Sequence, residues 1–330
     1  MCKVNTRLEF EQRRKTRVVF SLIIPVYNEE ATLDYSLARI TQSCYALLDK
    51  GISEVELILV NDGSQDRSQQ ILKKWVAQSV NPKLCLKVLE FSRNFGHSGA
   101  VVAGLEAARG EIVGIIDADL QDPPELLARM IEVLELEKLD VVYGQRTSRI
   151  GDGPLKRLTA WIFYRFINLL TGVDIPRDTG DFRVMRKSVV KAVVSCRERD
   201  PFIRGVVAWV GFKQRPFPYI RESRKFGESK YPLGKMLRFA IRAIVSFSSK
   251  PLMLSLYLGI LGLCFSFLVA IWVLLSWLHG GTVPGWASTS IAITLSQSFV
   301  FILLGIQGLY VARIHDEALE RPRYLIRSED

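Results

Sequence analysis

The sequence predicts an α/β chain built on a mostly parallel, doubly wound sheet and ending in two helices that cross a membrane. Two observations carry that prediction. From Val18 to Tyr143 short β-branched runs alternate with helix-patterned stretches, the rhythm of consecutive βαβ units. From residue 251 to 312 there is no Lys, Arg, Asp or Glu, in a chain of 330 residues that is 24% charged. Two apolar runs inside that stretch, 251–278 and 289–312, are each long enough to span a hydrocarbon core of about 30 Å as a helix.

Taken in order, a basic tail over 1–17 comes first, and its Arg7, Arg13, Arg14 and Lys15 give no expectation of a signal peptide. A globular domain is then expected over 18–232. Its strands should lie at Val18–Val26, Val55–Val60, Leu84–Phe91, Ile112–Ile116 and Val141–Tyr143, with helices over about 29–49, 66–78, 97–109 and 124–137. The segment 154–172 is apolar over a wide face and basic elsewhere, which suits either a core helix or one lying among lipid headgroups. Residues 233–250 repeat that pattern as a juxtamembrane amphipathic helix leading into the first span.

The link 279–288, with Gly280, Gly281, Pro284 and Gly285, is turn-rich and has no Lys or Arg. Arg238, Arg242 and Lys250 precede the first span, and Arg313, Arg321 and Arg323 follow the second. This bias places the large domain, the 313–330 tail and both termini in the cytoplasm of a multi-pass membrane protein, with a bacterial-type plasma membrane as the expected setting. Gly259, Gly262, Gly305 and Gly308 leave homo-oligomer formation open.

The net charge of +10 raises nucleic acid as a partner, but no recognition helix or aromatic-studded basic face accompanies it. An anionic bilayer and phosphate-bearing substrates fit better. The cysteines (Cys2, Cys44, Cys85, Cys196 and Cys264) are odd in number and scattered, so reduced thiols are expected rather than a disulfide framework or metal site.

In a doubly wound sheet ligands gather beyond the C-terminal ends of the strands. A polar cluster stands at each of the first four ends: Pro25-Val26-Tyr27-Asn28-Glu29, Asn61-Asp62-Gly63-Ser64, Arg93-Asn94 and Asp117-Ala118-Asp119-Leu120-Gln121-Asp122. The last is a run of hard oxygen donors of the kind Mg²⁺ or Mn²⁺ takes from protein when substrate phosphates complete the shell. A polar turn with Asp122 capping a helix that opens at Pro123 is the competing reading. Asp62 before Gly63-Ser64 suits a loop that approaches a ligand closely, or a simple turn and cap. Arg183, Arg224 and Lys230 could be solvated charges; alternatively Gly227 and Gly234 bracket a lid carrying phosphate-binding cations. His97 reads as a helix-start residue rather than a base.

The Pro25–Glu29, Asn61–Ser64 and Asp117–Asp122 clusters, the last running on through Pro123-Pro124-Glu125 and followed by Gly180-Asp181-Phe182-Arg183 and Gly227-Glu228-Ser229-Lys230, in that order and ahead of a membrane hairpin, resemble the inverting GT-A glycosyltransferases of family 2. More narrowly the chain is similar to polyprenyl-phosphate hexosyltransferases of the bacterial GtrB and dolichol-phosphate mannose synthase type. The resemblance implies a metal-dependent transfer of a hexose to a polyprenyl phosphate. It implies that Pro25, Tyr27 and Glu29 line the donor site, that Asp62 reads the base or ribose, and that Asp117 and Ala118 floor the nucleotide pocket. Asp119 and Gln121 would be the ligands of Mg²⁺ or Mn²⁺, and Arg146, Arg224 and Lys230 would lie near the donor diphosphate. Arg183 would meet the acceptor phosphate, so that Asp119, Arg183 and Lys230 form the catalytic set.

UDP-glucose is the donor suggested by the two-span branch, with GDP-mannose or a UDP-amino sugar as alternatives. The chemistry asks little of the protein. A lipid monophosphate has a second pKa of about 6, so its oxygen is already ionised at neutral pH and needs no strong base. A processive polysaccharide synthase would carry a Gln-x-x-Arg-Trp motif and more spans, and the chain has neither. A non-catalytic membrane scaffold is the rival from another class.

Overall fold

The computed structural model describes residues 19–79, 81–147, 179–221, 250–279 and 285–329. The expected tail 1–17, the helix over 154–172, most of the juxtamembrane helix, and Arg224 and Lys230 lie outside them. Strands form at Val19–Val26 (β1), Glu54–Asn61 (β2), Leu84–Phe91 (β3), Ile112–Ile115 (β4), Val141–Arg146 (β5), Thr179–Arg186 (β6), Gln214–Tyr219 (β7) and Ile326–Glu329 (β8). They make one sheet in the order β7-β5-β6-β4-β1-β2-β3-β8. Helices form at Leu33–Asp49 (α1), Ser68–Gln78 (α2), His97–Ala107 (α3), Leu127–Leu136 (α4), Lys187–Ser195 (α5) and Ile203–Trp209 (α6).

The central strands are apolar on both faces because both faces are covered. Phe20, Leu22, Ile24 and Val26 of β1 share one buried cluster with Leu33, Leu37 and Ile40 of α1 and Leu127, Met130 and Leu134 of α4. Each such fully buried side chain contributes about 2 kcal/mol. Residue 23, of opposite parity, is buried as well, and α3 packs on β1 and β2. Strands β1, β2, β3 and β4 are mutually parallel, and β5 and β7 are parallel to each other. Their C-terminal ends therefore lie along one edge.

Three strands, β6, β7 and β8, are additional to the five expected; β7 runs parallel to β5 and the other two run antiparallel to their neighbours. Strand β6 runs antiparallel between β4 and β5, pairing Arg183 with Ile115 and with Tyr143, so its first residues, Thr179 to Asp181, reach the edge where the parallel strands end. Strand β8 comes from the segment expected to be a cytoplasmic tail. It pairs antiparallel with β3, and Tyr324 stacks on Phe91 with ring centroids 5.0 Å apart. This covers a sheet edge that would otherwise present unpaired backbone groups. The helix expected over 124–137 is split into a 3₁₀ turn at Pro124–Leu126 followed by α4.

The chain divides into two compact units, the first containing the whole sheet. The second unit holds two long helices, Lys250–Leu278 (α7) and Trp286–Ala318 (α8). Among the described residues one stretch, Leu295–Ala318, is long and apolar enough to cross a membrane. Large apolar side chains such as Leu261, Phe265, Phe301 and Ile302 are exposed on these helices.

Candidate active site

The loops after β1 and β2 are latched together by short polar side chains. Asn28, in the left-handed region at φ 53°, accepts from the Gln65 N–H at 2.8 Å, while its own N–H donates to Ser64 Oγ at 3.0 Å. The Glu29 N–H donates to Ser68 Oγ at 2.9 Å, and the Glu29 carboxylate accepts from the Thr32 hydroxyl at 2.8 Å. These bonds delay the start of α1 from the expected residue 29 to Leu33. Tyr27 is left exposed at the edge, whereas Pro25 is buried in β1 beyond the last β4 partner, Ile23.

Asp62 is buried and works on the protein's own backbone. Its carboxylate accepts from the Phe95 N–H at 2.6 Å and from the Gly96 N–H at 3.0 Å, which fixes the loop leading into α3. Burial pushes its pKa up, and the two N–H groups oppose that shift. Gly63 follows at φ 65°, and a Cβ there would stand 2.4 Å from the Arg93 carbonyl carbon, so only glycine fits beneath this loop.

After β4, Asp117 and Asp119 are half-buried and Ala118 is buried, with Leu120 turned into the left-handed region at φ 54°. Asp119 Oδ1 accepts from the Gln121 N–H at 3.1 Å. Desolvation and the nearby carboxylates Asp181, Asp119 and Asp122 push the Asp117 pKa up to about 6, with His97 opposing. Two half-exposed oxygen side chains at a strand end fit a Mg²⁺ or Mn²⁺ that takes its remaining ligands from a diphosphate. Among the described residues no group of three or more His, Cys, Asp and Glu could cage a metal, so an all-protein site is not what these residues build.

The structure adds a second array beside the first. His97, the first residue of α3, places Nε2 3.0 Å from Asp181 Oδ2 and 3.8 Å from Asp117 Oδ1. Arg204 of α6 grips Asp181 with Nε at 3.0 Å and Nη2 at 3.2 Å. Desolvation works against the His97 cation, but the Asp181 hydrogen bond and the Asp117 charge outweigh it and push its pKa up to about 9. Asp181 is held well below the usual carboxylate range, because Arg204 and His97 overcome the cost of its burial. Arg183, expected at an acceptor phosphate, is buried and donates to the Gly180 carbonyl at 3.0 Å and the Asp181 carbonyl at 3.3 Å.

Arg146 lies across the edge near Asp122, which is fully buried and accepts from the Tyr219 hydroxyl. Asp122 is therefore not the helix cap expected of it: α4 begins after Leu126 with no side-chain cap. Of the sequence-assigned residues, the structure brings Tyr27, Glu29, Asp62, Asp117, Asp119, Gln121, Arg146 and Arg183 to one end of the sheet. His97, Arg204, Asp122 and Tyr219 were missed as a set, since each pairs with a residue far away in sequence.

A pH dependence follows from His97. Its folded pKa is raised from 6.5 to about 9, so the stability it contributes is present in full below pH 6.5 and is lost as pH rises through about 9. The melting-temperature gap between wild type and His97→Gln should be wide at pH 6 and narrow by pH 10. A gap that ignores pH would show that the imidazole is neutral in the folded protein.

Residues 21–194 match the family model described as glycosyl transferase family 2. The chain is 43% identical over 314 residues to YkcC of Bacillus subtilis (strain 168), an uncharacterized glycosyltransferase, covering 94% of both proteins. It is 36% identical over 312 residues to the bactoprenol glucosyl transferase of Shigella phage SfV, covering 94% of this chain and 98% of that one. Among solved structures, glucosyl-3-phosphoglycerate synthase from Mycobacterium tuberculosis, crystallised with Mn²⁺ and UDP-glucose, superposes with a TM-score of 0.47 at 18% identity, covering 72% of this chain and 80% of that one.

Proposed function

The chain belongs to glycosyl transferase family 2, and from that premise we propose that it moves one hexose, glucose from UDP-glucose, onto the phosphate of a polyprenol with inversion at the anomeric carbon. One observation carries the reading. Asp119 and Gln121 follow β4 and Arg146 ends β5, at the same end of the sheet, in a chain that also carries a helix long and apolar enough to enter a membrane. Hard oxygen donors and a guanidinium suit a nucleotide diphosphate, and the apolar helix gives access to an acceptor that lives in lipid. The name of the phage relative, a bactoprenol glucosyl transferase, supports glucose and a polyprenyl acceptor.

In this mechanism Asp119 and Gln121 would hold a divalent cation, whose chemistry is to neutralise charge on the departing diphosphate. Tyr27 and Glu29 border the donor. Asp62 acts by fixing the loop that starts α3, and Ala118 offers a small floor for the nucleotide. The acceptor phosphate is already an oxyanion near neutral pH, so the protein's task is to bring two anionic groups together and orient them. Lys230 and Arg224 are proposed for the phosphate-binding cations. Arg183, buried and donating to the Gly180 and Asp181 carbonyls, is proposed to shape the Asp181 region beside the acceptor phosphate.

A two-helix membrane hairpin belongs to the same proposal, and sheet topology supports it. Strand β8 follows α8 in sequence yet lies in the same sheet as β1 to β7. A chain that leaves this sheet and returns to it must cross a membrane an even number of times. If Leu295–Ala318 crosses, α7, whose 29 residues carry no charge after Lys250, is the partner. The sheet unit and both termini would then lie in the cytoplasm.

A panel of nucleotide sugars offered with one polyprenyl phosphate and Mn²⁺ tests the reading. Release of UDP from UDP-glucose that depends on the lipid is the expected result. Lipid-dependent release from another donor would reassign the sugar, and release from none would remove the transferase reading.

A further inference from the structure

Two guanidinium groups converge on a carboxylate without being consumed by it. Asp122 is fully buried, and Tyr219 donates to its Oδ1. Arg146 Nη2 stands 4.0 Å from that oxygen and Arg221 Nε 3.7 Å from it, both too far for a hydrogen bond. Asp122 Oδ2 and Arg221 Nε are buried atoms with no hydrogen-bond partner among the described residues. A buried polar atom left in this condition is costly and rare, and here the carboxylate is fully buried while the two arginines are partly exposed. Two guanidinium groups face the Asp122 carboxylate, and although Arg146 Nε donates to the Tyr219 hydroxyl at 3.4 Å, the pair keeps spare donors.

Its placement is specific. Arg146 ends β5 and Arg221 follows β7, neighbouring parallel strands in which Arg146 is in register with Tyr219. Gly180, on β6, makes room for Arg146 beside Asp122: a Cβ there would stand 2.8 Å from Arg146 Nη2 and 3.5 Å from Asp122 Oδ2. Desolvation and the Arg146 charge lower the Arg221 pKa, while the charges of both Asp122 and Asp119 oppose that shift. Arg221 is thus within the field of the carboxylate assigned to the metal.

We propose that Arg146 and Arg221 form a two-arginine fork that takes the diphosphate of the nucleotide-sugar donor, with Asp122 drawing the two cations together and Tyr219 fixing Asp122. Arg221 is the new member. The inference rests on the donor reading above and supplies a phosphate ligand on the rigid end of the sheet. Two planar forks can divide the oxygens of a diphosphate between them, which a single lysine cannot do.

The test is binding of UDP, GDP and uridine, each with Mn²⁺, to the full-length protein in detergent, comparing wild type with Arg221→Ala and Arg221→Lys. Arg221→Ala should weaken UDP binding by roughly 10- to 100-fold, the range for one charged hydrogen-bonding group, and leave uridine binding unchanged. Arg221→Lys should fall between, and it keeps the test decisive if the alanine variant melts early. Wild-type UDP affinity in both variants, or an equal loss for uridine, overturns the fork while leaving the donor reading intact. Wild type that binds neither UDP nor GDP overturns both.

Discussion

Replacing Asp119 with alanine should lower turnover by about three orders of magnitude while leaving the protein folded. A carboxylate is the charged, hard donor that Mg²⁺ or Mn²⁺ requires, and Gln121 alone offers one neutral oxygen. The structural cost is small by comparison. The Asp119 carboxylate accepts a hydrogen bond from the Gln121 N–H at 3.1 Å on a half-exposed turn, an interaction of about 1 kcal/mol. Initial rates at saturating UDP-glucose, with melting temperature as the folding control, separate the two effects. Asp119→Asn should keep the turn and still lose most of the rate. Near-normal turnover in either variant would take the metal away from this strand end.

Asp181→Ala should be the most destabilising single change at the site, costing about 3 kcal/mol, because it removes a buried carboxylate shared by three cations and leaves the buried Arg183 without a counter-charge. His97 Nε2 and both Arg204 donors lose their acceptor, and Arg183, 3.6 Å from the same carboxylate, keeps only its two backbone carbonyls. A melting temperature lower by about 10 °C is the expected readout. The pH sign is set by the depressed folded pKa of Asp181. Its contribution is present above the ordinary carboxylate value of 3.8 and fades as pH falls through the still lower folded value. A variant that melts with wild type would mean the three cations find other acceptors.

What the sequence disclosed follows the range of the interactions involved. Strands β1 to β5 were legible from apolar runs bounded by turn residues, and the four polar clusters were legible because each directly follows its strand. Strand β6 was not, since Thr179-Gly180-Asp181 is a poor strand opening and its place between β4 and β5 depends on pairing across long separations. Strand β8 hid in a charged tail for the same reason. It is held by Phe91, Glu90 and Lys87, none of them near it in the chain. The cluster of His97, Asp117, Asp181 and Arg204 is assembled from four separate elements, so no spacing rule could have announced it. His97 does begin a helix, as expected, and a helix start is also where it can reach two carboxylates.

The reassignment of Asp122 is the clearest gain. Its place before Pro123-Pro124 suggested a cap, yet burial and the Tyr219 hydroxyl make it the fixed anion between two arginines. That adds Arg221, after β7, to Arg146 at the end of β5 as a candidate for the diphosphate.

Mass spectrometry of the lipid product tests the central claim most directly. Incubated with UDP-glucose, Mn²⁺ and a polyprenyl monophosphate, the protein should yield that lipid heavier by a single hexose and still carrying one phosphate. A lipid carrying two phosphates, a lengthening series of hexoses, or an unaltered polyprenyl phosphate with every donor would contradict it.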